Sequence, residues 1–84
     1  MLERIESIKM ILGDMGIKII KALYLGPMDV KSINFLSGVP IECIYGRIPV
    51  LKSLNLIKEV GTTYTLEKEG EAFLRSIEVQ ERIK

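Results

Sequence analysis

Apolar residues recur at helical spacing through the first third of the chain. Steps of three and four residues connect Ile5, Ile8, Leu12, Met15, Ile19 and Leu23, as on one face of a helix. Gly13 and Gly16 interrupt this face, and glycine weakens a helix interior. The pattern therefore predicts a helix over about 2–12, a joint at Gly13–Gly16 and a helix over about 17–25. Gly26-Pro27 ends the second helix.

Two shorter helices separated by a tight turn follow. Asp29 is a suitable N-cap for a helix over 30–37. Gly38-Val39 forms the turn, and Pro40 suits the first position of a helix over about 40–54. In the first of these helices, we expect Val30, Ile33 and either Phe35 or Leu36 to face the core. In the second, the side chains expected to face the core are Ile41, Ile44, Ile48 and Leu51.

The opposite face of the 40–54 helix carries a mixed set of residues. They are Glu42, Cys43, Gly46, Pro49, Val50 and Ser53. An interior proline removes a hydrogen bond and clashes with the preceding turn, so we expect a kink or break near 46–48. Such a break is either a harmless bend at the surface or a reshaped binding face.

A hairpin and a last helix complete the chain. Asn55 is a plausible left-handed exit residue, after which 56–60 and 63–66 read as strands around a Gly61-Thr62 turn. The last helix, over about 68–83, would face inward with Phe73, Leu74 and Ile77. At 84 residues we expect one domain: an N-terminal helix over 1–16, two helices and a hairpin over 17–66, and a C-terminal helix over 67–84.

The composition excludes several kinds of chemistry. The chain has one cysteine and no histidine, so an internal disulfide framework, a Cys/His zinc site and a histidine-based triad are ruled out. No glycine-rich phosphate loop is present. We expect no enzyme, no cofactor, no membrane span and no signal peptide, and a cytoplasmic location. The abundance of Ile, Lys and Glu favours a thermophilic source.

Several segments match a known family in order and spacing. Residues 25–30 (LGPMDV) resemble the entry loop of a helix-turn-helix, and 35–39 (FLSGV) resemble its first helix end and turn. Residues 48–57 (IPVLKSLNLI) resemble an LxxLxxxGLI helix exit, with Asn55 where glycine is usual. Residues 64–70 (YTLEKEG) resemble the YxLTxxG ending of a wing, with Glu67 replacing threonine. Over about 17–77 the chain thus resembles the winged helix-turn-helix superfamily of small MarR, ArsR and PadR-like prokaryotic or archaeal regulators.

The resemblance implies a fold and a partner. The fold would be α+β and mostly helical, a winged helix-turn-helix with a small β-hairpin wing and extra N- and C-terminal helices. The partner would be duplex DNA, met by the outward face of the recognition helix. The positions this implies for DNA binding are Glu42, Cys43, Tyr45, Gly46, Arg47 and Lys52 on that helix, with Lys31 before it and Thr62 in the wing.

The two ends of the chain suggest self-association. Apolar residues outside the minimal winged core need burial, namely Ile5, Ile8, Leu12, Ile77 and Ile83. Pairing them across a two-fold axis would make a homodimer and set two recognition helices for two half-sites. The alternative is that these helices fold back on their own core.

The sequence leaves open which class of protein this fold serves. A DNA-binding regulator agrees with the resemblance, but the net charge is only +1, and phosphate neutralisation dominates DNA affinity. A protein–protein interaction module agrees better with that charge and with the scarcity of basic residues on the recognition helix. A chromatin-type protein would need more Lys and Arg. Cys43 is either an incidental residue or an oxidant-sensing thiol near a helix start.

Overall fold

The computed structural model describes residues 2–83. Within this range the chain forms four helices and a two-stranded antiparallel hairpin, and is mostly helical, so the predicted α+β class is confirmed. The elements in chain order are α1 (Leu2–Leu23), α2 (Val30–Ser37), α3 (Ile41–Ser53), β1 (Ile57–Val60), β2 (Thr63–Leu66) and α4 (Lys68–Ile83). No helix within 2–83 is both long enough and apolar enough to cross a membrane.

Helix α1 bends sharply at Gly13. This residue has φ 64° and ψ −176°, a conformation that side chains other than glycine rarely adopt. The predicted joint is therefore real, but it is one residue wide, and the helix resumes directly after it. Gly16 lies inside the second segment, where a Cβ atom would stand 2.8 Å from the Cβ of Leu12. The helix ends at Leu23 rather than Leu25.

All four helices and the hairpin contribute to one apolar core. Its fully buried side chains include Leu12, Ile19, Ile20, Leu23, Ile33, Ile44, Leu51, Leu56 and Ile77. The inward residues predicted for α4 are confirmed, since Phe73, Leu74 and Ile77 are all buried. No polar or charged side chain described by the structure is buried in this core.

Both alternatives for one predicted inward position of α2, Phe35 and Leu36, lie at the surface instead, as does Ile41 of α3. Phe35 is 85% exposed, and Leu36 and Ile41 are partly exposed. Helix α2 has only eight residues, and it is anchored by Val30 and Ile33. Phe35 follows Ile33 by two positions, which places it about 200° around the helix and away from the core. The prediction was wrong here because a short apolar run does not define its own inward direction.

The turn between α2 and α3 is held by side-chain hydrogen bonds. The Asn34 amide nitrogen donates to the Val39 carbonyl oxygen at 2.8 Å. The Ser37 hydroxyl accepts from the Val39 N–H at 3.1 Å and donates to the Ile33 carbonyl at 2.6 Å. Gly38 is left-handed, as its predicted place in the turn requires. These bonds satisfy backbone groups that the helix ends would otherwise leave unpaired.

Helix α3 continues through Pro49, so of the kink or break predicted near 46–48, the break is absent. Proline has no N–H to donate to the Tyr45 carbonyl, but Tyr45 is at the surface, where water can serve instead. The helix ends at Ser53, and Asn55 after it is left-handed as predicted, with φ 60°. The Leu56 N–H donates to Leu51 O and the Asn55 N–H to Lys52 O, both at 3.0 Å, which is a Schellman motif.

The hairpin is bonded back to the segment before α2. Strands β1 and β2 pair from Ile57↔Leu66 to Val60↔Thr63, which leaves the predicted two-residue turn, with Gly61 at φ 62°. Met28 adds an isolated bridge to Tyr64. Their backbone groups exchange hydrogen bonds of 3.1 Å and 2.9 Å, so Met28 extends the hairpin by one residue of a third strand.

The residues predicted to form a dimer surface lie mostly inside the chain's own core. Ile8, Leu12 and Ile77 are buried, and Ile5 is half-buried against them. The kink at Gly13 lets the first half of α1 fold back along α4, which satisfies their need for burial within one molecule. The side chain of Ile83 lies outside the described residues. A homodimer stays a prediction, but these core residues are not free to make it.

Gly70 provides a test of the packing of α4 against the two ends of the hairpin. A Cβ there would overlap the Leu56 carbonyl oxygen and stand 2.6 Å from Leu66 Cδ1. We expect Gly70→Ala to lower the free energy of unfolding by about 1–3 kcal/mol, measured by urea denaturation.

Gly46→Ala is the matched control. Nothing lies within 4 Å of a Cβ at this exposed position of α3, so alanine should stabilise by about 0.5–1 kcal/mol through helix propensity. Equal effects of the two substitutions would contradict this account of the packing around Gly70.

Candidate nucleic-acid interface

A groove lies where the start of α2, the middle of α3 and the tip of the hairpin approach one another. It is lined by Asp29, Val30, Lys31, Tyr45, Glu59, Gly61, Thr62 and Tyr64. Three of the residues predicted for DNA binding meet here, namely Lys31, Tyr45 and Thr62. They come from three different elements, so the fold assembles them and no local motif does.

Asp29 fixes the start of α2 and thereby the position of Lys31. Its Oδ1 accepts the Ser32 N–H at 2.9 Å, the predicted N-cap bond. Hydrogen bonding from Ser32, chiefly from this N–H, holds the pKa of the Asp29 carboxyl below its ordinary value, and the charge of Lys31 adds a smaller effect. The groove therefore keeps one carboxylate charge beside its exposed lysine.

Tyr64 forms the inner wall of the groove. It is only 9% exposed, and its backbone is bonded to Met28. Burial raises the pKa of the Tyr64 hydroxyl, and the nearby Glu59 carboxylate raises it further, while Lys52 acts in the opposite direction. The phenol therefore stays neutral at physiological pH and can act as a hydrogen-bonding group.

An ion pair links α3 to the hairpin across one side of the groove. Lys52 Nζ lies 3.1 Å from Glu59 Oε1, and both side chains are a little under half exposed. Glu59 was absent from the predicted set. The hairpin register places it opposite Tyr64, and the two-residue turn could have indicated that much. Its contact with Lys52 depends on how the hairpin packs on α3, which the sequence pattern does not specify.

The outward face of α3 carries little charge. Glu42, Tyr45 and Gly46 are exposed as predicted, and the other exposed residues of α3 are Ile41, Pro49, Lys52 and Ser53. The Ser53 hydroxyl donates to the Val50 carbonyl at 2.8 Å, so it is partly engaged. The formal charges on the exposed part of α3 are therefore the carboxylate of Glu42 and the ammonium group of Lys52, and Lys52 is paired with Glu59.

Cys43 and Arg47 do not belong to that outward face. Both are half-buried, and Cys43 packs against the core. The Arg47 Nε is buried without a hydrogen-bond partner among the described residues, so the stem of this side chain lies along the protein surface. The two residues sit one turn apart on the flank of the helix, and the expectation that Cys43 lies on an exposed reading face was wrong.

The rest of the hairpin surface is balanced in charge. Lys58 Nζ lies 3.8 Å from Glu67 Oε1, and the concave surface beside it is lined by three lysines and three glutamates, namely Lys52, Lys58, Lys68, Glu59, Glu67 and Glu69. Exposed pairs of this kind contribute about 0–1 kcal/mol to stability. Their main effect here is to cancel the positive potential that the lysines would otherwise provide.

Comparisons with known proteins add no family to this description. No protein-family model matches the chain, and no curated protein matches it significantly. Within 2–83, no three His, Cys, Asp or Glu residues are grouped closely enough to hold a metal ion.

The N-cap of α2 predicts a pH dependence of stability. Because the pKa of Asp29 is lowered in the folded state, its ionised form stabilises the fold above the unfolded pKa of about 3.9. This contribution is lost as the pH falls through the lower folded value. At neutral pH we expect the wild type to have a higher Tm than Asp29→Asn. This difference in Tm should shrink below about pH 4.

Asp29→Ala is the comparison variant. Asparagine can still accept the Ser32 N–H, whereas alanine cannot, so the alanine variant should have the lowest Tm at neutral pH. A difference between wild type and Asp29→Asn that stays constant from neutral to strongly acidic pH would contradict the assignment.

Proposed function

We propose that this chain is a winged helix-turn-helix protein that binds duplex DNA as a small transcriptional regulator. The main support for the proposal is the order of elements after Gly26. It consists of a helix, a three-residue turn held by side-chain hydrogen bonds, a second helix and a hairpin. The bridge from Met28 to Tyr64 supports it further, since it fixes the hairpin beside the start of α2. In such an arrangement α3 enters the major groove while the hairpin lies over the adjacent backbone.

The groove supplies hydrogen-bonding groups suited to a phosphate backbone. Lys31 is exposed at the first turn of α2, Tyr45 is 59% exposed on α3, and Thr62 is at the hairpin tip. Contacts from lysines, hydroxyl groups and helix N-termini position a protein on DNA without reading its sequence. Glu42, near the start of α3, could accept a hydrogen bond from a cytosine amino group.

Few cations are available, so the expected affinity is modest. Lys31, Arg47 and Lys52 are the cations that the proposal assigns to phosphates, and Lys52 must first leave Glu59. If each neutralises one phosphate, log K falls with log salt at a slope of about −2.7 per protomer. A dimer would contact two half-sites. Its phosphate contacts would then be twice as many, which would double the slope and raise the affinity.

A salt titration with a single substitution tests the DNA proposal. We expect Lys31→Ala to weaken binding to mixed genomic duplexes roughly tenfold at low salt and to reduce the slope by about 0.9, because one phosphate contact is lost. Fluorescence anisotropy measures both quantities. Arg75→Ala removes an exposed cation from α4 and is the matched control. We expect it to change neither the affinity for DNA nor the slope with salt.

Removing the carboxylate of Glu59 should strengthen DNA binding. Glu59→Gln frees Lys52 for a phosphate and removes a negative charge from the groove, so the affinity at low salt should rise several-fold and the slope should steepen by up to about 0.9. Glu71→Gln, which breaks the exposed pair with Arg75 on α4, controls for the change in net charge. A loss of affinity in Glu59→Gln would contradict the proposed orientation of the groove.

A second function has a specific observation in its favour. The exposed cation of α3, Lys52, is already paired with Glu59. The exposed residues around it, Glu42, Tyr45, Gly46, Pro49 and Ser53, are acidic or uncharged, and such a face is better suited to docking on a protein than to a phosphate backbone. The anisotropy titration separates the two. Absence of binding to duplex DNA at low salt would overturn the regulator proposal and leave the protein-docking module as the better account.

A further inference from the structure

Two exposed apolar surfaces of this chain carry rims of opposite charge. The first, which we call the basic groove, is lined by Lys18, Lys21, Ala22, Leu25, Leu36 and Ser37. It has a volume of about 280 Å³ and lies between the second half of α1 and the end of α2. Leu25 is 72% exposed and Leu36 is 50% exposed, so much of the apolar floor is open to solvent.

The second surface is on the first half of α1, on the side facing away from the core. Met10, at 83% exposed, lies near its centre, and Ile11 is 53% exposed beside it. Glu6 precedes Met10 by one turn and Glu3 by two, so all three share one helix face. We call these four residues the acidic ridge. Arg4 at its edge is neutralised by Glu69, 3.4 Å away.

We propose that the basic groove binds the acidic ridge of a second copy of this chain. Met10 would enter the apolar floor between Leu25 and Leu36, and Glu3 and Glu6 would face Lys18 and Lys21 at its rim. Complementary charge around an apolar contact favours one register and disfavours like-with-like pairing. The ridge lies on α1 before the Gly13 kink, and the groove is formed by α1 after the kink, Leu25 and the end of α2, so a two-fold axis can use each groove and each ridge once.

The charges at these surfaces are only weakly engaged within one molecule. Lys21 lies 4.0 Å from Glu81, and Glu6 lies 4.0 Å from Lys9, with at least one exposed partner in each pair. Lys18 has no ion pair among the described residues. Exposed pairs at this distance contribute little, so they can be exchanged for intermolecular ones without a large loss.

Reciprocal use of the two surfaces gives a closed assembly. A single ridge in a single groove is a small contact, and stable interfaces bury about 1,200–2,000 Å² in total. A two-fold dimer doubles the contact and leaves neither surface exposed, which a head-to-tail chain cannot do at its ends. Neither surface includes α3 or the hairpin, so the inference does not depend on DNA binding.

The test is a charge-reversal set analysed by sedimentation velocity. We expect wild type to sediment with the mass of two copies, and the dimer to weaken as salt is added. Lys18→Glu with Lys21→Glu makes both surfaces acidic, and Glu3→Lys with Glu6→Lys makes both basic. Each double variant alone should lose at least tenfold in dimer affinity. An equimolar mixture of the two should regain it, because each groove then meets an oppositely charged ridge.

Controls keep loss of folding separate from loss of association. All four charged positions are exposed, so the Tm of each variant should stay within a few degrees of wild type. Lys68→Glu with Arg75→Glu changes the net charge by the same amount as Lys18→Glu with Lys21→Glu, but on the outer face of α4, and should leave the dimer intact. A wild type that is monomeric at all concentrations up to the millimolar range overturns the proposal. So does a dimer that charge reversal leaves unchanged, or a mixture that fails to regain affinity.

Discussion

The backbone of Leu56 is the constraint on which the rest of the structure depends. Its N–H closes the Schellman motif that ends α3, and its carbonyl accepts the Glu67 N–H at 2.9 Å, immediately before α4 begins. Gly70 packs directly on that carbonyl, and the Leu56 side chain is 1% exposed within the core. One residue thus sets where α3 stops, where the hairpin starts and how closely α4 approaches. Because the hairpin also holds Met28 before α2, the position of the groove follows from this junction.

The kink at Gly13 determines which side chains of α1 are exposed and can contact other molecules. With the bend, Ile8 and Leu12 are buried on one side, and Met10 and Ile11 are turned outward on the other. The apolar stripe seen in the sequence is therefore used inside the molecule, and the surface left for association is a different set of residues on the same helix. This is why the stripe was a sound indicator of a helix and a poor indicator of an interface.

Local features of the fold could be predicted from the sequence, and features set by packing could not. The Asp29 cap, the left-handed Asn55, the two-residue hairpin turn and the bounds of α4 each depend on a few neighbouring residues whose conformational preferences are strong. The exposure of Phe35 and the half-burial of Cys43 and Arg47 depend on how short helices are rotated against the core. The candidate groove belongs to this second class, because its residues come from three elements and its charge balance depends on the Lys52–Glu59 contact.

That charge balance links the two proposed interactions through one physical argument. In the groove, Lys31 lies beside the carboxylates of Asp29 and Glu59, and Glu59 also pairs with Lys52 of α3, so their fields cancel at the distance of a phosphate backbone. On α1, Lys18 and Lys21 at the groove rim are separated along the helix from Glu3 and Glu6 on the ridge, and such separated charge retains a field that a complementary surface can use. Arg4 and Lys9 flank the ridge and reduce its field. A chain with net charge +1 therefore has little electrostatic attraction for DNA as a monomer. If reciprocal contacts through α1 bring two copies together, the weak phosphate contacts of each groove act jointly, and binding that is marginal for one protomer becomes effective for two.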